Sequence, residues 1–232
     1  MPSTVELPRT RGPGTGRDDN WRVIVRNDSH NTFDHVARTL ARFIPGVTLD
    51  SGYSFADRIH NRGQALVWGG PREESGVVEG LIGRDPRNRK RMAVLRAGPE
   101  RDTDARPRIG PGKVARTRWR VVRRFGPVSE LELELDTGRT HQIRVHLAHL
   151  KLPVVGDPVY GGRPKKLLST SDAERSLAGA LLDQLPRQAL HAAALEFAHP
   201  VSGLSLRFVS PVPADIARAL DALQAFREGP RG

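Results

Sequence analysis

The run Thr137-Gly-Arg-Thr-His-Gln-Ile-Arg-Val-His146 constrains the possible folds of this chain more than any other segment. It joins a tight turn to a helix start that carries two arginines and two histidines. Arg139 lies at the turn, where exposed backbone donors and a guanidinium suit a phosphate or a carboxylate. Arg144 falls about one helical turn further in, between apolar Ile143 and Val145. An arginine in that setting is at least partly buried, and a buried guanidinium needs an anionic partner. Any fold of this chain must therefore hold Arg144 against a carboxylate or a phosphate.

Periodicity supplies the elements around it. Arg116–Phe125 and Ser129–Asp136 read as strands joined closely enough to form an antiparallel hairpin. Leu190–Phe197 and Leu204–Phe208 predict a second strand pair, turned by residues 199–203. Helices are expected at Thr140–Leu150, Ser171–Leu185 and Ala214–Phe226, with residues 156–162 a loop. Upstream, Trp21–Arg26 alternates apolar and polar residues as a strand does. Asn31–Phe43 is an amphipathic helix pattern with Asn31 as N-cap and Asp34 as the capping-box acid. Ile44-Pro-Gly breaks it. A second helix is expected from about Leu49 to Arg62, capped by Gly63, and then a short strand over Gln64–Trp68. This makes a β-α-α-β unit of about 50 residues, small enough to be marginal alone. The texture changes near Gly76, which predicts a polar, disordered tail over 1–20, one unit over 21–74 and a second over 75–232. The fold class is α+β.

Composition narrows the function. No apolar run in the 232 residues is long enough to cross a bilayer, so no membrane is expected. The absence of cysteine excludes disulfides and thiolate zinc sites, and fits the cytoplasm. The formal charge is +11 and it is uneven. Residues 1–75 hold 10 basic and 9 acidic groups, a net of +1; the rest hold 27 and 17, a net of +10. Such a concentration suits a polyanion, although a generally Arg-heavy composition gives the same excess. The basic run Arg84–Arg91 is either a solvated loop or a contact for RNA. His141, His146 and His149 do not make a metal site, because only the pair three apart shares a helix face and no carboxylate lies at ligand spacing.

Leu135–Leu147, followed by Leu152-Pro-Val-Val-Gly-Asp-Pro-Val-Tyr-Gly161, resembles the RluA-type RNA pseudouridine synthases. Gly83–Val94, Leu190-His-Ala, Phe197-Ala-His-Pro, Pro211 and Pro213 extend the resemblance over residues 76–226 in the same order. The resemblance implies part of a mixed or antiparallel sheet with flanking helices. It also implies isomerisation of a flipped uridine in structured RNA, with ribosomal RNA as the expected partner and no cofactor or metal. Arg144 would then form the ion pair that orients a catalytic aspartate. Arg89, Lys90, Arg91, Arg139 and His141 would lie against RNA. The family places its aspartate in a His-Arg-Leu-Asp motif, and no Arg-Leu-Asp occurs here. Gly63 stands where the family has a base-packing tyrosine, and Asp136 and Asp157 occupy non-catalytic positions of the pattern. The chain thus keeps the arginine without its nucleophile, and negligible isomerase activity is expected.

Asn27-Asp-Ser-His-Asn-Thr-Phe-Asp-His-Val36, Ile44-Pro-Gly-Val-Thr-Leu-Asp50 and Ile59-His-Asn-Arg-Gly-Gln-Ala-Leu-Val-Trp68 resemble a different family, ClpS. That resemblance implies an adaptor binding N-degron peptides for the Clp protease, with the Clp ATPase as partner. Asn27, Asp28 and His60 would meet the α-amino group, and Phe33 would gate the pocket. Read without the resemblance, His60 is a helix-end histidine favoured by the helix dipole. Ser29 replaces a common acid, and the pattern is lost after Glu74. Ala65-Leu-Val-Trp-Gly-Gly-Pro71 fits both families, so the seam lies between residues 64 and 75. A natural fusion keeps both domains whole; this chain keeps neither, which points to a misassembled gene or an artificial recombination. Three functions follow: a synthase-type RNA binder with impaired catalysis, a degron adaptor, or a non-functional hybrid.

Overall fold

The structure, a computed structural model, describes residue 48 and residues 60–95, 112–164, 171–198 and 205–229. The tail, the strand expected at Trp21–Arg26 and the helix expected at Asn31–Phe43 lie outside them.

The described residues form seven strands and three helices. The strands are β1 (His60–Trp68), β2 (Ser75–Arg84), β3 (Met92–Leu95), β4 (Lys113–Arg124), β5 (Val128–Leu135), β6 (Leu190–Ala198) and β7 (Ser205–Val209). The helices are α1 (Gln142–His149), α2 (Asp172–Gln184) and α3 (Ala214–Glu228). One sheet takes the order β3-β2-β4-β5-β1-β6-β7, with every neighbouring pair antiparallel. The expected α+β class, an antiparallel sheet with flanking helices, is what forms.

Strand alternation explains the centre of the sheet. Along β4, Ala115, Thr117, Trp119 and Val121 are buried while Arg116, Arg118, Arg120 and Val122 point the other way. β5 answers with Leu131 and Leu133 inward, and Glu132 and Glu134 opposite the arginines. Side chains of period two on paired strands meet directly, so apolar and ionic pairs each form their own face. The core joins Leu66, Val67, Leu131, Leu133, Leu147, Leu181, Leu185 and Leu223, all at most 1% exposed. Ser171 caps α2, accepting the Glu174 N–H at 3.2 Å, which is half of a capping box.

Two elements differ from the sequence reading. Residues 60–63 are not the end of a helix but the start of β1, paired with β5 on one side and β6 on the other. Gly63 is therefore not a helix cap; it lies at a bulge in the β1–β6 pairing. Long-range pairing on both edges overrides the local helical pattern. The strand also lies upstream of the boundary expected at 74/75, yet it sits inside the sheet. The second difference is β2, which the sequence hides behind three glycines. Two of them, Gly76 and Gly80, are packing positions. A Cβ at Gly76 would come within 2.6 Å of Trp119 Cζ2, and one at Gly80 within 2.9 Å of Val94 Cγ1.

Gly162 is more constrained still, since a Cβ there would lie 1.8 Å from the Val154 carbonyl oxygen and 2.4 Å from Asp157 N. Gly162→Ala is expected to cost about 3 kcal/mol or more, because rigid backbone cannot yield as a side chain can. Gly179, on α2, has nothing within 4 Å of such a Cβ, and Gly179→Ala is expected to stabilise by about 0.5–1 kcal/mol. Thermal melts of the two variants should move in opposite directions.

Candidate nucleic-acid site around Arg144

Arg144 meets its anion within its own half of the chain. Its Nε donates to Asp157 Oδ2 at 2.7 Å and its Nη2 to Asp157 Oδ1 at 2.9 Å. The Arg144 side chain is 7% exposed and that of Asp157 0%. Asp157 Oδ1 also accepts from the backbone N–H groups of Val159 at 2.8 Å and Tyr160 at 3.1 Å. Burial pushes the Asp157 carboxyl up, but the Arg144 fork and the two backbone donors together hold it below the ordinary carboxylate value.

Tyr160 organises the surface above this pair. The Arg144 guanidinium carbon lies 4.8 Å from its ring centroid and that of Arg91 5.1 Å. The phenol oxygen accepts the Met92 N–H at 3.0 Å and lies 2.9 Å from His141 Nδ1. One ring thus ties β3, α1 and the 153–162 loop together, with burial raising the phenol pKa. His141, the N-cap of α1, sits at φ 58°, the left-handed region that a side chain rarely enters. Non-glycine residues held there cluster at functional sites.

A second network seats α1. Gln142 Oε1 accepts from Thr137 Oγ1 at 2.8 Å and from Arg139 N at 2.9 Å, while its Nε2 donates to Arg116 O and Thr117 Oγ1. Thr117 Oγ1 lies 2.9 Å from His146 Nδ1. Nδ1 is thus the ring nitrogen engaged with Thr117, and the buried Nε2 has no hydrogen-bond partner among the described residues. Burial, and secondarily His149, depress the His146 pKa to about 4. His141 and His146 are thus engaged with Tyr160 and Thr117, and no group of metal-ligand type occurs among the described residues.

The other predicted positions divide. Arg91, His141 and Arg144 converge on Tyr160. Arg139 is adjacent through Gln142, and its Nε donates to Val114 O at 3.0 Å. Arg89 and Lys90 sit in the β2–β3 turn, which is ordered by its own bonds: Asp85 Oδ1 accepts the Arg87 N–H at 2.9 Å and Asn88 Oδ1 the Lys90 N–H at 3.1 Å. Residues 84–91 hold five basic groups and one acid, a net of +4. The sheet arginines are different. Arg116 and Arg118 face Asp136 at 3.4 and 3.0 Å, Arg120 faces Glu132, and Arg123 faces Glu130 at 2.7 Å. In the turn the single carboxylate, Asp85, lies 4.0 Å from Arg91 Nε, so an excess of positive charge gathers beside Tyr160. Gly63 places its Cβ direction 3.7 Å from Ile143 Cδ1, next to the Arg144 turn of α1. Asn27 and Asp28 lie outside the described residues, and His60 is held by its backbone opposite Glu196. Sequence reasoning missed Asp157, Tyr160 and Gln142 as parts of the site. The signal was the aspartate and tyrosine set between Gly156 and Gly162, close in sequence to an arginine that needed an anion.

Residues 72–149 match the family model for RNA pseudouridylate synthase. An uncharacterised RNA pseudouridine synthase of Chloroflexus aurantiacus is 46% identical over 169 residues, covering 73% of this chain and 44% of that protein. The ribosomal large subunit pseudouridine synthase D of Xylella fastidiosa is 47% identical over 149 residues, covering 64% and 40%, and that of Escherichia coli K12 is 40% identical over 150 residues, covering 65% and 40%. The second half of this chain is therefore similar in sequence to RNA pseudouridine synthases. The chain spans less than half the length of these relatives. The solved human RNA pseudouridylate synthase domain containing 4 shares the fold, with a TM-score of 0.56 at 21% identity over 76% of this chain and 67% of that one. Residues 16–77 match the ClpS family model, the ATP-dependent Clp protease adaptor. Among the described residues no helix is long and apolar enough to cross a membrane.

Asp157→Asn is expected to destabilise by about 3 kcal/mol, because it leaves a buried guanidinium uncompensated. Adding Arg144→Met should recover a large part of that loss, since the neutral pair keeps acceptors for Val159 and Tyr160 without a buried charge; a double-mutant cycle by denaturant melts reads it. Stability should also fall on acidification. His146 has a folded pKa of about 4 against 6.5, so the unfolded chain takes up its proton first and stability is lost between those values. Asp157, depressed, adds a further loss as the pH falls below the ordinary carboxylate range. His146→Asn keeps an acceptor for Thr117 and should flatten melting temperature against pH between 6.5 and 4, leaving the more acid limb in place.

Proposed function

We propose that this chain is a pseudouridine synthase-type RNA-binding protein without isomerase activity. The observation that carries this reading is the state of Asp157. A nucleophilic carboxylate must reach a flipped base with a free oxygen. Asp157 is fully buried, one oxygen holding Arg144 Nε and the other holding Nη2 and two backbone N–H groups. Its depressed pKa makes it a weaker nucleophile still. It cannot substitute for the aspartate of the absent Arg-Leu-Asp motif.

What remains is a binding surface. Arg89 and Lys90 project from an ordered turn, Arg91 and His141 flank Tyr160, and Arg139 precedes α1, its backbone N–H held by Gln142. Lysines and arginines on one rim suit the phosphates of structured RNA, and the names of the relatives favour large-subunit ribosomal RNA as the substrate class. The ClpS match favours a second reading, a degron adaptor acting with the Clp ATPase through Asn27, Asp28 and His60. A chain in which neither half works is the remaining reading.

Binding to a ribosomal RNA stem-loop should weaken steeply with salt. Arg89→Ala and Arg91→Ala should each reduce the slope of log K against log salt by roughly 1. Tritium release from labelled uridine should stay at background. Salt-independent binding would remove the RNA reading, and turnover would remove the inactive one.

A further inference from the structure

Tyr160 is 5% exposed, and three parts of the candidate site reach it. Its hydroxyl accepts the N–H of Met92, the first residue of β3, at 3.0 Å. The same oxygen lies 2.9 Å from His141 Nδ1, and the two rings meet edge to face with centroids 5.6 Å apart. The Arg91 guanidinium carbon stands 5.1 Å from the ring centroid. The buried ion pair fixes the tyrosine in turn. Asp157 Oδ1 accepts its N–H at 3.1 Å, and the Arg144 guanidinium carbon lies 4.8 Å from its ring centroid.

The basic residues of the β2–β3 turn are consequently of two kinds. Arg87, Arg89 and Lys90 are exposed, and among the described residues only their backbone groups are bonded. Arg91 is half-buried. Its backbone N–H donates to Asn88 O at 2.9 Å, and its carbonyl accepts the Asp85 N–H at 3.0 Å. Its Nε is shielded from solvent and has no hydrogen-bond partner among the described residues, with Asp85 Oδ2 4.0 Å away. A guanidinium held against a ring is pre-organised, so it loses little freedom on meeting a phosphate, whereas an unheld side chain must be ordered as it binds. We propose that Tyr160 is a positioning residue of the RNA surface. It holds Arg91 and His141 in fixed directions toward the RNA phosphates, while Arg87, Arg89 and Lys90 supply charge without direction. This inference deepens the RNA-binding reading and rests on it.

The test measures the affinity of the full chain for a ribosomal RNA stem-loop across a range of salt. Arg91→Lys keeps the charge but gives up the planar contact with Tyr160, so affinity should fall roughly fivefold or more with the salt slope unchanged. Arg89→Lys, the same change at an arginine no ring holds, should bind within about twofold of the wild type. Tyr160→Phe removes the hydroxyl that anchors Met92 and meets His141, and it should also weaken binding without moving the slope. That loss should largely disappear in an Arg91→Lys background and persist in an Arg89→Lys background, a coupling that general destabilisation does not produce. Arg91→Lys changes a part-exposed side chain, so its result stands whether or not Tyr160→Phe melts cooperatively. Wild-type affinity in Arg91→Lys overturns the inference and leaves the RNA reading in place. A folded Tyr160→Phe that binds like the wild type, or loses equally in both backgrounds, does the same. Salt-independent binding by the wild type removes the RNA reading and this inference with it.

Discussion

Removing a guanidinium and a carboxylate from water costs several kcal/mol for each ion, so a buried pair forms only where every remaining polar contact is supplied. Arg144 and Asp157 are joined by a two-bond fork, with two backbone N–H groups completing the carboxylate, and much of the described structure is arranged to hold them. α1 carries the arginine, and the loop from Val154 to Gly162 carries the aspartate. Gly162 lets the loop pass against its own backbone, and its carbonyl accepts Trp68 Nε1 at 2.8 Å, which fastens the loop to β1. Tyr160 then extends the construction to β3 through Met92. The pair acts as a keystone between a helix, a loop and two strands at opposite places in the sheet order.

The same pair explains how Arg144 is electrostatically satisfied within the described residues. Asp157 takes its Nε–Nη2 edge, so the buried guanidinium needs no further anion. Charge elsewhere is distributed in keeping with this. Arginines on β4 are matched across the sheet by carboxylates on β5, whereas the β2–β3 turn is left strongly positive beside Tyr160.

Ala65-Leu-Val-Trp68 is a short apolar run that any buried strand could use, and in the described structure it lies on β1 within the core of the seven-stranded sheet.

Much of the fold was legible in the sequence because it rests on local rules. The alternation of Arg116–Asp136 fixed a hairpin, the helical pattern of Ser171–Leu185 fixed α2, and Ile143-Arg-Val145 required a buried anion partner for Arg144. The sequence also shows that no Arg-Leu-Asp occurs in these 232 residues, which no structure could alter. Other features depended on contacts far apart in the chain. β2 was obscured by Gly76 and Gly80, whose value is the room they leave for Trp119 and Val94. The conformation of residues 60–63 reversed from helix to strand because β5 and β6 supply hydrogen bonds on both edges, which local propensity cannot anticipate. Only the tertiary structure identified Asp157 as the partner of Arg144, since a requirement for an anion does not say which of several carboxylates can be buried within reach.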